Sequence, residues 1–545
     1  MPITVFLENN AEKYGDEVCL VEINPEQAGK KNFRWTESML VETALEEAYR
    51  REMTWLDFER KANQFANLLL ANGVKKGDKV AILLMNCLEW LPIYFGTLKT
   101  GALAVPLNYR YTAEEIRYCL DLSDSSLLVF GPEFTERVSE IRGSIGKIRK
   151  MYFVGINCPD FADSYYQMTS YCTGRNPHIE ITDACDAAIY FSSGTTGFPK
   201  AILHNHESLM HAAYCEQAHH GQQRGDCFLC MPPLYHTGAK MHWFGSLISA
   251  SRAVLLRGVS PEWILKAVSD ERCTIVWLLV PWAQDLLDSI EREEVRPGDY
   301  ELSQWRLMHI GAQPVPPSLV RRWIKYFPHH KYDTNYGLSE SIGPGCVHLG
   351  VENIHKVGAI GKAGFGWEAK IVADDESLIT EPETVGELAV RGPGLMTCYY
   401  RDPAASAAVL KDGWLMTGDM AKYDGEGFIY LVDRKKDVII TGGENLYPVQ
   451  IEDFLRGCEK IKDVAVIGRP HQRLGEIACA VIELKPGVEC SEDEILRFCM
   501  ALPRYKRPRE IIFDQIPRNP TGKIEKPKLR EKYGSASIVA IQTGD

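Results

Sequence analysis

The feature that most constrains the fold is an alternation of apolar period along residues 54 to 130. Trp55 to Asn72 carries apolar residues at helical spacing, Gly77-Asp78 reads as a turn, and Lys79 to Met85 reads as a buried strand. Leu88 to Lys99 is a second helix, and Ala102 to Pro106 and Ser126 to Phe130 are again strand-like. Strands buried on both faces and separated by helices favour an α/β domain around a largely parallel sheet. The same rhythm resumes from Ala187 to about Leu349. From Gly358 to Val432 it gives way to short strands broken by Gly, Pro and Asp, the pattern of a small β-rich subdomain. A charged segment, Asp433 to Asp437, precedes a compact α+β remainder with strands at Val464 to Gly468 and Ala478 to Leu484. The last residues, Gly534 to Asp545, carry no periodicity. At 545 residues the chain is too long for one core. The expected architecture is a large N-terminal domain, 1–433, of α/β subdomains plus the small β-rich subdomain, and a small mobile α+β C-terminal domain, 434–545.

Composition narrows the function classes. A net charge of −12 disfavours nucleic acid and anionic membranes as partners. The basic clusters are local, at Lys435-Lys436, at Arg504 with Lys506-Arg507, and at Lys523, Lys526, Lys528 and Arg530. No basic start with a sustained apolar run is visible at Met1 to Glu8, and Thr274 to Leu287, broken by Pro281 and Asp285, is too short to span a bilayer. It reads instead as a buried strand running into a helix. Sixteen cysteines without framework spacing fit a reducing cytoplasm. The single Cys227-x-x-Cys230 has no second ligand pair nearby and reads as core packing. The polar insertion from Asn24 to Glu52 carries no legible signal.

Chemistry concentrates first in Tyr190-Phe-Ser192-Ser193-Gly194-Thr195-Thr196-Gly197-Phe-Pro-Lys200. An apolar strand ends in small hydroxyl and glycine residues, then a lysine. Glycines let backbone N–H groups approach a phosphate, hydroxyls add donors and the lysine adds charge. The G-x-x-x-x-G-K-[ST] spacing of a Walker loop is absent. Gly364-Phe365-Gly366 lacks a surrounding βαβ unit and is followed by a strand, so it reads as a β-turn rather than a dinucleotide loop.

The glycine-rich segment resembles the phosphate loop of the acyl-adenylate-forming (AMP-binding) superfamily, which holds acyl-CoA synthetases, peptide-synthetase adenylation domains and luciferases. The resemblance recurs in order over nearly the whole chain. Pro233-Leu-Tyr-His236-Thr-Gly238 is similar to the aromatic-His segment beside the acyl pocket, and Gly311-Ala312-Gln313-Pro to the adenine-contacting turn. Tyr336-Gly337-Leu-Ser339-Glu340 resembles the tyrosine-to-glutamate motif, with Ser339 in place of threonine, and Trp414 to Asp419 the ribose motif. Asp433-Arg434-Lys-Lys436-Asp with Gly442-Gly443-Glu-Asn resembles the hinge region, and Pro520-Thr-Gly-Lys523 the C-terminal lysine motif.

The resemblance implies ATP, Mg²⁺ and coenzyme A as cofactors and a small-molecule carboxylic acid as substrate. It implies Lys523 between carboxylate and α-phosphate, Glu340 as the Mg²⁺ ligand, Tyr336 against adenine, Asp419 on the ribose and Arg434 on ribose or phosphate. Lys436 is the expected hinge, and Gly442 and Gly443 leave room for pantetheine. Acetate-specific relatives carry tryptophan where this chain has Gly337, so an acid larger than acetate (fatty, alicyclic or aryl) is expected, lined by His236, Trp277, Val280 and Trp282. Tyr235-His236 stands where adenylation domains hold an amine-binding aspartate, which favours a free acid passed to coenzyme A. The alternatives are a catalytically silent acyl or nucleotide sensor, a stand-alone adenylating enzyme with another thiol acceptor, and a luciferase-type oxidase. A homo-oligomer is compatible with all of them.

Overall fold

The computed structural model describes residues 1–29, 32–34, 48–192, 199–311, 315–343, 345–441, 444–518 and 524–534. The chain forms two compact units. The first comprises Met1–Val357 with Gly361–Ala369 and Val390–Leu415; the second comprises Gly358–Ile360, Lys370–Ala389 and Met416–Asp545. The expected boundary at 433/434 therefore falls inside the second unit, at the end of the strand Ile429–Arg434. Most of the insertion at 24–52 lies outside the described residues.

The first unit is built on two sheets, as the double rhythm requires. One has eight strands, with Lys79–Leu83 at its centre between Leu103–Pro106 and Leu127–Phe130, all parallel. These are the strands expected near 79, 102 and 126, and each is buried along its length because helices cover both faces. The helices Trp55–Ala71 and Trp90–Leu98 also form where expected. Thr54 starts the first of them by accepting from the Asp57 amide. At one end of this sheet, β1 (Asp186–Ser192) pairs antiparallel with β2 (Lys200–Asn205), which leads into helix α1 (His206–His220).

The other sheet has ten strands. Helix α2 (Thr237–Ser249) lies in the same unit, and β3 (Ile275–Leu279), β4 (Leu307–Gly311) and β5 (Lys331–Tyr336) run parallel through the sheet in that order. A short strand, β6 (Val347–His348), returns antiparallel beside β5. The apolar stretch at 274–287 is a strand passing into the helix Val280–Glu291, as its length requires. Cys227 and Cys230 are buried in the strand Cys227–Cys230, and all sixteen cysteines are free thiols. Gly364 to Gly366 forms a turn closed by the Trp367 amide on the Gly364 carbonyl, and a strand follows at Glu368–Val372.

The second unit is β-rich before residue 434 and α+β after it. Strand β7 (Trp414–Tyr423), whose first two residues belong to the first unit, pairs antiparallel with β8 (Ile429–Arg434). Farther on, Ile461–His471 and Gly475–Leu484 form a long antiparallel pair over a core that includes Ile451, Leu455, Val464, Val466 and Ile482. Among the described residues no helix is long and apolar enough to cross a membrane.

Candidate active site

In the first unit the motif residues gather where strands end. Ser192, the last residue of β1, lies opposite Lys200, the first of β2, so the hairpin register pins both ends of the glycine-rich loop. Ser193, Gly194, Thr195, Thr196 and Gly197 themselves lie outside the described residues. The Lys200 ammonium sits 4.5 Å from the centroid of the Tyr399 ring, a cation–π contact that fixes its direction. The Tyr399 hydroxyl donates to Glu340 Oε1 at 2.8 Å. One tyrosine therefore ties the loop lysine to the motif glutamate. Burial and the Glu340 carboxylate push the Tyr399 phenol upward, so it remains a donor.

Glu340 rides on a single 3₁₀ turn, Ser339–Ser341, that follows β5. Two bonds hold the turn from outside. The Met396 amide donates to the Glu340 carbonyl at 2.8 Å, and His204 Nε2 donates to the Ser339 carbonyl at 2.8 Å. His204 lies on β2, is fully buried, and takes the Ser208 hydroxyl at Nδ1. Burial lowers its pKa to about 4, so the imidazole is neutral near pH 7 and serves as a fixed donor. Tyr336, at the end of β5, is buried, and its carbonyl accepts from the Cys346 amide. Gly311 closes β4, with Asn335 Oδ1 and Trp277 Nε1 beside its Cα. Ala312 and Gln313 lie outside the described residues.

His236 precedes α2 and caps it, its Nδ1 accepting from the Gly238 amide at 3.2 Å. Asn86 holds the segment before it. Its amide donates to the Pro232 carbonyl at 3.0 Å while its Oδ1 accepts from the Leu234 amide at 2.8 Å. Gly238 has no room for a side chain, because a Cβ there would lie 2.8 Å from the Trp277 ring. Of the expected acyl-lining residues, Trp277 and Val280 are buried and Trp282 is partly buried against the main core. Gly337 does not face the open space attributed to it. A Cβ there would stand 2.8 Å from Gly345 Cα and 3.3 Å from Gly343 Cα, so backbone approach is what requires this glycine.

In the second unit Asp419 on β7 lies directly opposite Arg434 on β8, and Arg434 Nε donates to Asp419 Oδ1 at 2.8 Å. Asp419 is buried within β7, next to Gly418, which takes φ +71°. Lys436 is exposed on the 3₁₀ turn Lys435–Asp437, whose Asp437 is held by Arg530 at 2.6 Å. In the basic cluster near 504, Arg507 is occupied by the Met500 and Leu502 carbonyls and Lys506 by Gln450. Gly442, Gly443 and Lys523 lie outside the described residues.

Sequence reasoning missed Tyr399, His204 and Asn86. Each acts through a pairing remote in sequence (59 residues from Tyr399 to Glu340, 135 from His204 to Ser339), and local patterns do not encode such distances.

The AMP-binding enzyme profile matches residues 8–400, and the AMP-binding enzyme C-terminal domain matches residues 450–523. The chain belongs to the AMP-binding enzyme family. It is an acid–thiol ligase of that family, in its acyl-CoA synthetase branch. The long-chain-fatty-acid–CoA ligase FadD13 of Mycobacterium tuberculosis is 31% identical over 520 residues, covering 93% of this chain and 99% of the relative. An indoleacetate–CoA ligase of Aromatoleum aromaticum is 31% identical over 492 residues, covering 88% and 93%. Among solved structures, a Mycobacterium tuberculosis fatty acyl CoA synthetase superposes with TM-score 0.73 at 28% identity, covering 98% of each chain. The anthranilate CoA ligase AuaEII in complex with anthranoyl-AMP superposes with TM-score 0.84 at 24% identity, covering 98% and 97%, and so shares the fold.

Proposed function

We propose that this ligase is an AMP-forming acyl-CoA synthetase acting on a free carboxylic acid larger than acetate. The observation that carries the reading is the Lys200–Tyr399–Glu340 arrangement, which fixes a cation and a carboxylate beside the mouth of the glycine-rich hairpin. In the first step a carboxylate oxygen attacks the α-phosphorus of ATP. A P–O bond forms, the bond to the β-phosphate oxygen breaks, and acyl-AMP and pyrophosphate result. In the second, the thiol of coenzyme A loses its proton and attacks the acyl carbon, and AMP leaves with the C–O bond electrons.

Two anions meet in the first step, so fixed cations lower its barrier most. Lys523 takes that role between carboxylate and α-phosphate, while Lys200 and the loop amides of Ser193 to Gly197 hold the outer phosphates. Glu340 keeps one carboxylate oxygen beside the one bonded to Tyr399, which suits Mg²⁺, a cation of oxygen ligands shared with phosphates. When bound, Mg²⁺ supplies charge neutralisation on those phosphates. Gly311, Ala312, Gln313, Tyr336 and Ser339 form the adenine side, Asp419 and Arg434 the ribose side, and His236 the acyl side. Lys436 is the hinge between a 1–433 domain and a 434–545 domain, and Gly442 and Gly443 admit the pantetheine chain. The free thiols fit a cytoplasmic enzyme.

Gly337 no longer supports the size assignment. The reading beyond acetate rests instead on relatives named for fatty and aryl acids. An assay of AMP release with ATP, coenzyme A and a panel from acetate through fatty, alicyclic and aryl acids tests it. Turnover with one of the larger classes, at least tenfold above acetate in kcat/KM, is the expected result; preference for acetate contradicts it.

A further inference from the structure

Around the middle of β4 and β5 lies a buried cluster that the ligase reaction does not use. Glu216 and His220 on α1, His242 on α2, His309 on β4 and Asp333 on β5 are all less than 5% exposed. Neither carboxylate has a lysine or arginine partner among the described ion pairs; both face only imidazoles. Glu216 Oε2 accepts from Nδ1 of His220 at 3.0 Å and from Nδ1 of His242. One carboxylate oxygen thus orients two rings and turns both Nε2 atoms away from itself, the outer-shell arrangement that presents imidazoles to a metal. Asp333 spends Oδ1 on the amides of Thr334 and Gly350, at 2.8 and 2.9 Å, and its buried Oδ2 has no hydrogen-bond partner.

The geometry points to a binding site for a divalent transition ion of the zinc class, with His220, His309, Asp333 and His242 as ligands and Glu216 behind them. His220 Nε2, His309 Nδ1 and Asp333 Oδ2 form a triangle with sides of 3.1, 3.7 and 3.8 Å. The point equidistant from its corners is about 2.1 Å from each, within the range of zinc bonds to nitrogen and oxygen, ~2.0–2.2 Å. One ring nitrogen from each of His220, His242 and His309 lies within 4.8 Å of the other two, so His242 stands beside the triangle as a further donor. Three imidazoles and one carboxylate select zinc, cobalt or nickel over magnesium and calcium, which prefer all-oxygen shells. Trp277, 4.4 Å from His242 between ring centroids, closes the cluster with apolar surface. The ion would join α1 and α2 to β4 and β5, the strands that end at Gly311 and Tyr336.

The test is zinc content of the purified full-length chain, stripped with chelator, incubated with Zn²⁺ alone and desalted. One Zn²⁺ per chain is expected. His220→Asn and His309→Asn should retain none, His309→Cys should retain one, and Glu216→Gln should bind 10- to 100-fold more weakly. Cys227→Ser with Cys230→Ser should leave the stoichiometry at one. Wild type without stoichiometric zinc, or equal zinc in the folded histidine variants, overturns the assignment. If the asparagine variants do not fold, X-ray absorption at the zinc edge of the loaded wild type decides. Nitrogen and oxygen ligands at about 2.0–2.2 Å, with imidazole scattering, support the site, and sulfur at about 2.3 Å or an all-water shell overturns it.

Discussion

Tyr399 offers the sharpest test of a single side chain. Tyr399→Phe keeps the ring under Lys200 and removes only the hydroxyl from Glu340. A hydrogen bond to a charged group contributes about 1.5–3 kcal/mol, so kcat/KM for ATP should fall about 10- to 100-fold with the melting temperature nearly unchanged. Wild-type kinetics would remove Tyr399 from the site. His204 makes a prediction about pH. Its folded pKa is about 4 against an ordinary value of 6.5, so between those values the unfolded chain binds the extra proton. Stability from this group is therefore full above pH 6.5 and is lost as pH falls towards 4. Between pH 7 and 5 wild type should lose about 2 kcal/mol more than His204→Gln, measured by urea unfolding. Equal losses would mean that His204 is not held neutral. Neither residue was legible beforehand. A histidine in Ile-Leu-His-Asn and a tyrosine in Cys-Tyr-Tyr-Arg carry no local mark. Lys200, Glu340 and Asp419 could be named as candidates because their motifs are contiguous in sequence.

At the scale of elements the periodicities did most of the work. Strands near 79, 102 and 126 and helices from 55 and 90 could be read because burial on both faces, or on one helical stripe, leaves its period in the residues. Sheet order leaves no such trace, and neither does the way the β-rich stretch from 358 divides between the two compact units. Gly337 marks the same limit, since a motif comparison sees a missing tryptophan where the fold has backbone of residues 343 and 345. Gly337→Ala should cost about 1–3 kcal/mol by overpacking. A melting temperature equal to wild type would show that the turn yields and would return Gly337 to the acyl pocket. The turn at Lys435–Asp437 invites a kinetic test. Lys436→Pro fixes φ there, so adenylation should survive while thioester formation falls at least tenfold. If pyrophosphate exchange falls as far as CoA transfer, Lys436 is not a hinge.

For the whole molecule, the proposed reaction divides into two chemically separate half-reactions on one chain, and the first needs no thiol. The fold and family support the class of reaction. In the proposed mechanism Lys523 is the lysine whose charge the first half-reaction needs and the second does not. Lys523→Ala should lower acyl-AMP formation by orders of magnitude and spare thioester formation from supplied acyl-AMP; equal loss of both would sink that role. The most direct measurement is exchange of labelled pyrophosphate into ATP, with Mg²⁺ and each acid of the panel, in the absence of coenzyme A. Exchange should depend on the acid, be supported by at least one acid larger than acetate, and be abolished by Lys523→Ala. Exchange that requires coenzyme A, or ATP cleavage to ADP and phosphate with the same acids, would contradict the proposed reaction.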